Sequence, residues 1–188
     1  MRDALLVIDV FNEFDHADGD LLLASFRQRK LGMVEAIASA RRDRTPVIYV
    51  NDQHGRWDAD ASGLVQRAIA RGGDLIAPLE PRPSEAFVLK PRYSAFDHTA
   101  LVLLLRELQV ERILLVGAAT EGCIVQSGID ARELGFKVTI LADACATNDE
   151  ELEELALRWS VFKAGFQSAR DPKYRVIPQR ERLQARAY

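Results

Sequence analysis

Five short apolar runs with no alternating polar residues constrain the fold of this chain more than any other feature. They are Ala4-Leu5-Leu6-Val7-Ile8, Pro46-Val47-Ile48-Tyr49-Val50, Ala86-Phe87-Val88-Leu89, Arg112-Ile113-Leu114-Leu115-Val116-Gly117 and Lys137-Val138-Thr139-Ile140-Leu141-Ala142. A strand with one face in water alternates apolar and polar residues. A strand covered on both faces does not, and such strands belong to parallel sheets. Pro91, which has no backbone donor, stops the third run. A weaker sixth run, Tyr174-Arg175-Val176-Ile177, lies near the end.

Helical patterns fill the gaps. Residues 26–42 are rich in helix formers, with Leu31, Val34, Ile37 and Ala38 on one face. Thr99 is placed to cap a helix over 100–108, where Leu101, Leu104, Leu105 and Leu108 fall at helical spacing. A third helix is predicted over 123–134 and closed by Gly135. Asn148 and the acids Asp149, Glu150 and Glu151 open a fourth, ending near Phe162, since acids in a first turn suit the helix dipole. Residues 52–83 are less patterned and read as a short helix plus loops near the active site.

Strands alternating with helices predict an α/β fold: a doubly wound, Rossmann-like, parallel six-stranded sheet with helices on both faces. The 188 residues fit one domain, 1–188. A chain this long buries roughly 70% of its unfolded surface, so it needs no disulfide or metal to fold. The net charge of −3 gives no footprint for nucleic acid. The arginines Arg42, Arg44, Arg180, Arg182 and Arg186 read as solvated. Two cysteines, Cys123 and Cys145, are too few for a secreted disulfide scaffold, and a reduced cytoplasmic compartment is expected. The first apolar run is too short for a signal peptide, and none approaches the ~20 residues that span a bilayer. No membrane partner is therefore expected.

Ligands of such sheets bind beyond the carboxyl ends of the strands. Asp9 follows the first strand, Lys90 ends the third, and Cys123 follows the fourth after the turn Gly117-Ala118-Ala119-Thr120-Glu121-Gly122. Taken singly, each has a commoner structural reading. Asp9 could cap a turn, Lys90 could snorkel at an edge, and Cys123 could be a small core hydrophobe. A thiol at a helix start, however, sees the positive end of the helix dipole, which favours thiolate. Together the three bring a carboxylate, an ammonium and a thiol to one sheet rim, the set that nucleophilic catalysis needs.

Three landmarks carry a resemblance. They are Leu6-Val7-Ile8-Asp9-Val10-Phe11-Asn12-Glu13-Phe14, Lys90-Pro91-Arg92-Tyr93-Ser94-Ala95-Phe96 and Gly117-Ala118-Ala119-Thr120-Glu121-Gly122-Cys123-Ile124. In order and separation they resemble the isochorismatase-like cysteine hydrolases, a superfamily that includes nicotinamidases, N-carbamoylsarcosine amidases and ureidoacrylate amidohydrolases. The resemblance runs from residue 5 to about residue 167. It implies that Asp9, Lys90 and Cys123 form the catalytic triad. It also implies a cis peptide at Ala118–Ala119, with the Ala119 and Cys123 N–H groups as oxyanion hole. The implied reaction is hydrolysis of a small amide or ureide C–N bond through a thioester, without a cofactor, in a homodimer or homotetramer.

The chain departs from the common pattern in having Phe11 and Glu13 where Gln and Asp often follow the aspartate; this alters the pocket wall near Asp9. Metal-binding nicotinamidases use an Asp and two or three His. Here Asp52 and His54 match the first two ligands by spacing, and the only other histidines are His16 and His98. No metal is expected. By position, Phe14, Trp57, Tyr93, Thr120 and Ile124 are expected to line the pocket for a small-molecule substrate. Trp57 and Tyr93 read equally as interface or core residues. Arg56 and Arg92 read as surface residues before they read as partners for a substrate carboxylate, and Cys145 reads as structural. Two rival readings stay open: hydrolysis of an ester or vinyl ether, and an idle ligand-binding protein on this scaffold. A redox or dinucleotide role lacks its motifs, since there is no Cys-x-x-Cys, and no Gly-x-Gly-x-x-Gly after the first strand.

Overall fold

A computed structural model of the chain describes residues 1–169. The five apolar runs become five parallel strands: β1 (Asp3–Ile8), β2 (Val47–Asp52), β3 (Ala86–Lys90), β4 (Arg112–Gly117) and β5 (Lys137–Cys145). A three-residue sixth, β6 (Gln167–Ala169), pairs parallel to β5 at the edge. The order is β3-β2-β1-β4-β5-β6. The sixth strand is therefore a different segment from the run 174–177, which lies outside the described residues. The strand order reverses beside β1, so the carboxyl ends of β1, β2, β3 and β4 converge on one crevice.

Five α-helices connect the strands: α1 (Gly19–Arg42), α2 (Ala61–Gly72), α3 (Leu101–Glu107), α4 (Val125–Glu133) and α5 (Glu150–Phe162). Alternate strand residues feed two apolar layers, which is why the runs show no polar period. On one face Leu5, Val7, Tyr49, Leu114 and Val116 pack with Phe26, Met33 and Ile37 of α1 and Leu64 of α2. On the other, Leu6, Ile8, Ile48, Val50, Ile113 and Leu115 pack with Leu101 and Leu105 of α3 and Val125 of α4. No helix among the described residues is long and apolar enough to cross a membrane.

The helices depart from the sequence reading in four places. α1 begins seven residues earlier than predicted, and its core stripe is Leu22, Phe26, Met33, Ile37 and Ala40, with Leu31 in solvent. Small residues set that rotation. A Cβ on Gly32 would lie 2.3 Å from the Asp143 carbonyl oxygen, so α1 lies almost on the backbone of β5. Thr99 Oγ1 accepts the Leu101 N–H at 3.3 Å, but from one residue outside the capping position. The cysteine does not start α4. A separate wide turn, Thr120–Ile124, precedes that helix and breaks from helical geometry at Gly122. α5 is opened by Asp149 rather than Asn148, and its carboxylate accepts the Glu151 and Leu152 N–H groups.

Candidate active site

Sheet register brings the three strand-end residues together. Ile8 pairs with Val50 on one side and Gly117 on the other, so the segments that follow β1, β2 and β4 leave the sheet side by side. Asp52 pairs with Lys90, which carries the lysine to the same rim. Asp9 stands one residue past β1 in the left-handed region, at φ 51°, a conformation Asp tolerates better than most residues. Its N–H donates to Val50 O at 2.9 Å, and its Oδ1 accepts the Asp52 N–H at 2.6 Å.

Lys90 is 0% exposed. Its Nζ lies 2.9 Å from Asp9 Oδ2 and 3.6 Å from Asp52 Oδ2. It also donates to Arg92 O at 3.0 Å and toward Cys123 Sγ at 3.4 Å. An ammonium has three protons to donate, and the Asp9, Arg92 and Cys123 acceptors match them. Burial alone would lower the Lys90 pKa, but Asp9, Cys123 and Asp52 outweigh it and raise the group above its ordinary value. The chain thus keeps a buried cation between a carboxylate and a thiol.

Cys123 is half-buried in the wide turn, and burial pushes its thiol pKa up. Asp9 raises it further by charge and by hydrogen bonding, against the opposing pull of Lys90. This overturns the expectation of a thiol lowered by a helix start: desolvation and a carboxylate outweigh the dipole and the lysine.

The Ala118–Ala119 peptide is cis. Ala118 N–H donates to Ile8 O, Thr120 N–H to Ala146 O, and both Gly122 and Ile124 N–H to Ala119 O. No acceptor for the Ala119 N–H lies among the described residues.

The five expected pocket residues fare differently. Phe14 is half-buried, edge-on to Phe26 at 5.5 Å between centroids. Trp57 and Tyr93 are 86% and 73% exposed, so neither ring lies in an enclosed wall. Ile124 is fully buried in the core layer with Ile8 and Leu101. Thr120 is also fully buried, its hydroxyl spent on Ala146 O and Glu153. Local sequence position placed both beside the cysteine, but the turn points them inward.

Asn51 is a site residue that sequence reasoning missed. Buried at the end of β2, it accepts the Phe11 N–H at 3.0 Å and donates to Phe11 O at 3.2 Å, which pins the loop that follows Asp9. A carboxamide ending an apolar strand was the available signal. Asp52 lies against Asp9 and Lys90. His54 is exposed, and its Nδ1 is 3.9 Å from Asp52 Oδ1. Among the described residues no three His, Cys, Asp or Glu side chains gather as a metal centre, so the donors present do not fit one.

The isochorismatase domain model matches residues 3–164. An uncharacterized isochorismatase family protein of Bacillus subtilis (strain 168), YaaI, is 35% identical over 155 residues, which cover 82% of this chain and 86% of that one. The ureidoacrylate amidohydrolase RutB of Acinetobacter baylyi is 29% identical over 172 residues, covering 77% of this chain and 70% of that protein. Among solved structures, the nicotinamidase/pyrazinamidase PncA of Bacillus subtilis aligns with a TM-score of 0.73 at 26% identity, covering 90% of this chain and all of that one. A parallel sheet of matching architecture, with a family model spanning most of the chain, leads to one conclusion: this chain belongs to the isochorismatase family and is a hydrolase of that family.

Proposed function

We propose that the chain is a cysteine hydrolase that cleaves a small amide or ureide C–N bond through a thioester on Cys123. One observation carries the reading: the fully buried Lys90 ammonium stands between Asp9 Oδ2, at 2.9 Å, and Cys123 Sγ, at 3.4 Å. A buried lysine so placed brings a carboxylate and a thiol to one cation, which pairs a base with a nucleophile. The amidohydrolase and nicotinamidase names among the relatives support the bond class.

As Sγ attacks the carbonyl carbon, the thiol proton passes to Asp9. The new oxyanion rests on the Ala119 and Cys123 N–H groups; losing one such donor typically costs about 100–1,000-fold in rate. Asp9 returns the proton to the leaving nitrogen as the C–N bond breaks. A water then attacks the thioester, giving its proton to Asp9. Collapse releases the acid and a thiolate, which takes that proton back. Lys90 stabilises the negative charge as it moves between oxygen and sulfur.

The test offers the protein a panel of small amides, ureides and esters, with ammonia release and intact-protein mass as readouts. A substrate should be found among the amides or ureides, with a transient acyl adduct on Cys123. Cys123→Ala should form no adduct and lose roughly 10,000-fold or more of the turnover. Full turnover in Cys123→Ala, or activity on esters alone, would sink the proposal.

A further inference from the structure

The turn that carries Ala119 and Cys123 is braced from behind by a buried carboxylate that the proposed chemistry does not use. Thr120 directly follows Ala119. Its Oγ1 is 2.9 Å from Glu153 Oε1 and 3.1 Å from Ala146 O. Glu153 lies on α5, 7% exposed. Its second oxygen accepts from Arg29 Nη2 of α1 at 3.1 Å. Arg29 in turn donates to Ala142 O at 3.4 Å and lies 3.7 Å from Asp143 Oδ1, both on β5. A neighbouring tie runs parallel: Glu121 accepts from Thr147 Oγ1 at 2.7 Å and from Asn148 N at 2.9 Å, and Thr147 N–H reaches Ser25 Oγ of α1 at 3.0 Å.

Burying a carboxylate is costly, and an apolar pair could fill this space. Burial pushes Glu153 up, Thr120 and Arg29 pull it back, and the balance leaves it above its ordinary value. What the carboxylate supplies in return is direction. The Thr120 hydroxyl has one proton for two acceptors, Ala146 O and Glu153 Oε1, and the second of these is held in place by Arg29; Thr120 also shares its backbone with the donor meant for the oxyanion.

We propose that Glu153, anchored by Arg29, is a positioning residue for the oxyanion hole: through Thr120 it fixes the direction in which the Ala119 N–H points. The inference rests on Cys123 being the nucleophile. Glu153 touches no reacting atom, and its effect belongs to steps that build negative charge on a carbonyl oxygen.

Two reagents that need the same thiol separate that effect from a general loss of structure. With p-nitrophenyl acetate, Sγ bonds to the carbonyl carbon, an oxyanion forms, and p-nitrophenolate leaves as the thioester appears. With iodoacetamide, Sγ displaces iodide and no oxyanion forms. Stopped-flow release of p-nitrophenolate and mass-resolved alkylation of Cys123 give two rates for each variant. Glu153→Leu and Thr120→Val should slow acylation roughly 10- to 100-fold, the usual effect of a misplaced catalytic group, with alkylation within about two-fold of the parent by the same reasoning. Thr120→Ser, which keeps the hydroxyl, should recover most of the acylation rate. Glu153→Gln, which keeps an acceptor for it, should lose less than Glu153→Leu. If Glu153→Leu does not fold, the Thr120→Val and Thr120→Ser pair decides. Acylation and alkylation that fall together, or an acylation rate that does not change, overturn the positioning role. A wild-type protein that takes no acyl group on Cys123 overturns the cysteine mechanism and this inference with it.

Discussion

At the scale of single residues, Cys123 is a thiol whose pKa its surroundings push up. Burial and Asp9 raise its pKa while Lys90 opposes them, and Lys90 itself is raised above its ordinary 10.5, so the ammonium persists well into alkaline solution. The thiolate fraction should then keep growing as pH rises. Iodoacetamide alkylation of Cys123, followed by mass spectrometry, should accelerate about tenfold per pH unit from 7 to 10, while Cys145, 0% exposed, stays unlabelled. A rate that levels off below pH 8 would mean a preformed thiolate and a different proton path. Asp9, Lys90 and Cys123 were legible in the sequence because each terminates or closely follows an apolar run. Glu153 was not, since on paper it is one of five acids between residues 149 and 154. Only packing singles it out.

At the scale of elements, the site depends on how closely strand ends approach one another. Gly117 ends β4 at φ 124°, and a Cβ there would lie 1.9 Å from Ile8 O. Both the dihedral and the contact exclude a side chain. Gly117→Ala must push β4 from β1 just where Asp9 emerges. A loss of about 3 kcal/mol follows, read as a fall of about 10 °C in the melting temperature. An unchanged Tm would show that the junction yields. The positions of β1 to β5 were readable because a strand buried on both faces leaves an unbroken apolar run, although β2 runs on to Asp52 and β5 to Cys145. The rotation of α1 and the wide turn before α4 were not. The first depends on which small residues lie against β5, and the second on where β4 delivers the chain.

Across the whole molecule, contacts far apart in sequence join the layers. Arg41 near the end of α1 makes a two-point contact with Glu85 at the start of β3, at 2.8 and 2.7 Å. Both side chains are largely buried, 16% and 9% exposed. Burial pushes Glu85 up, but Arg41 and the Arg82 N–H hold it net below its ordinary 4.5. A lowered carboxylate contributes stability above its unfolded pKa and loses it as pH falls through the folded one. Arg41→Met should therefore cost about 2 kcal/mol near neutrality. Its urea-unfolding free energy should also decline less steeply than that of the parent between pH 5 and pH 3. Parallel pH profiles for the two proteins would show that the pair contributes nothing.

The sequence by itself determined the sheet, the order of its main elements and the three residues at its rim. Those follow from local rules: burial on both faces writes apolar runs, and chemistry in such folds sits at strand ends. The tertiary structure alone decided the direction in which the Cys123 pKa moves, since desolvation and the Asp9 charge depend on distances across β1, β2, β3 and β4. It alone decided that Thr120 and Ile124 face inward while Trp57 and Tyr93 face solvent. It also turned Asp52 toward Lys90 and linked Glu153 to the turn that carries Cys123. Each of these is a matter of direction, and direction is set by packing between segments that the sequence keeps far apart.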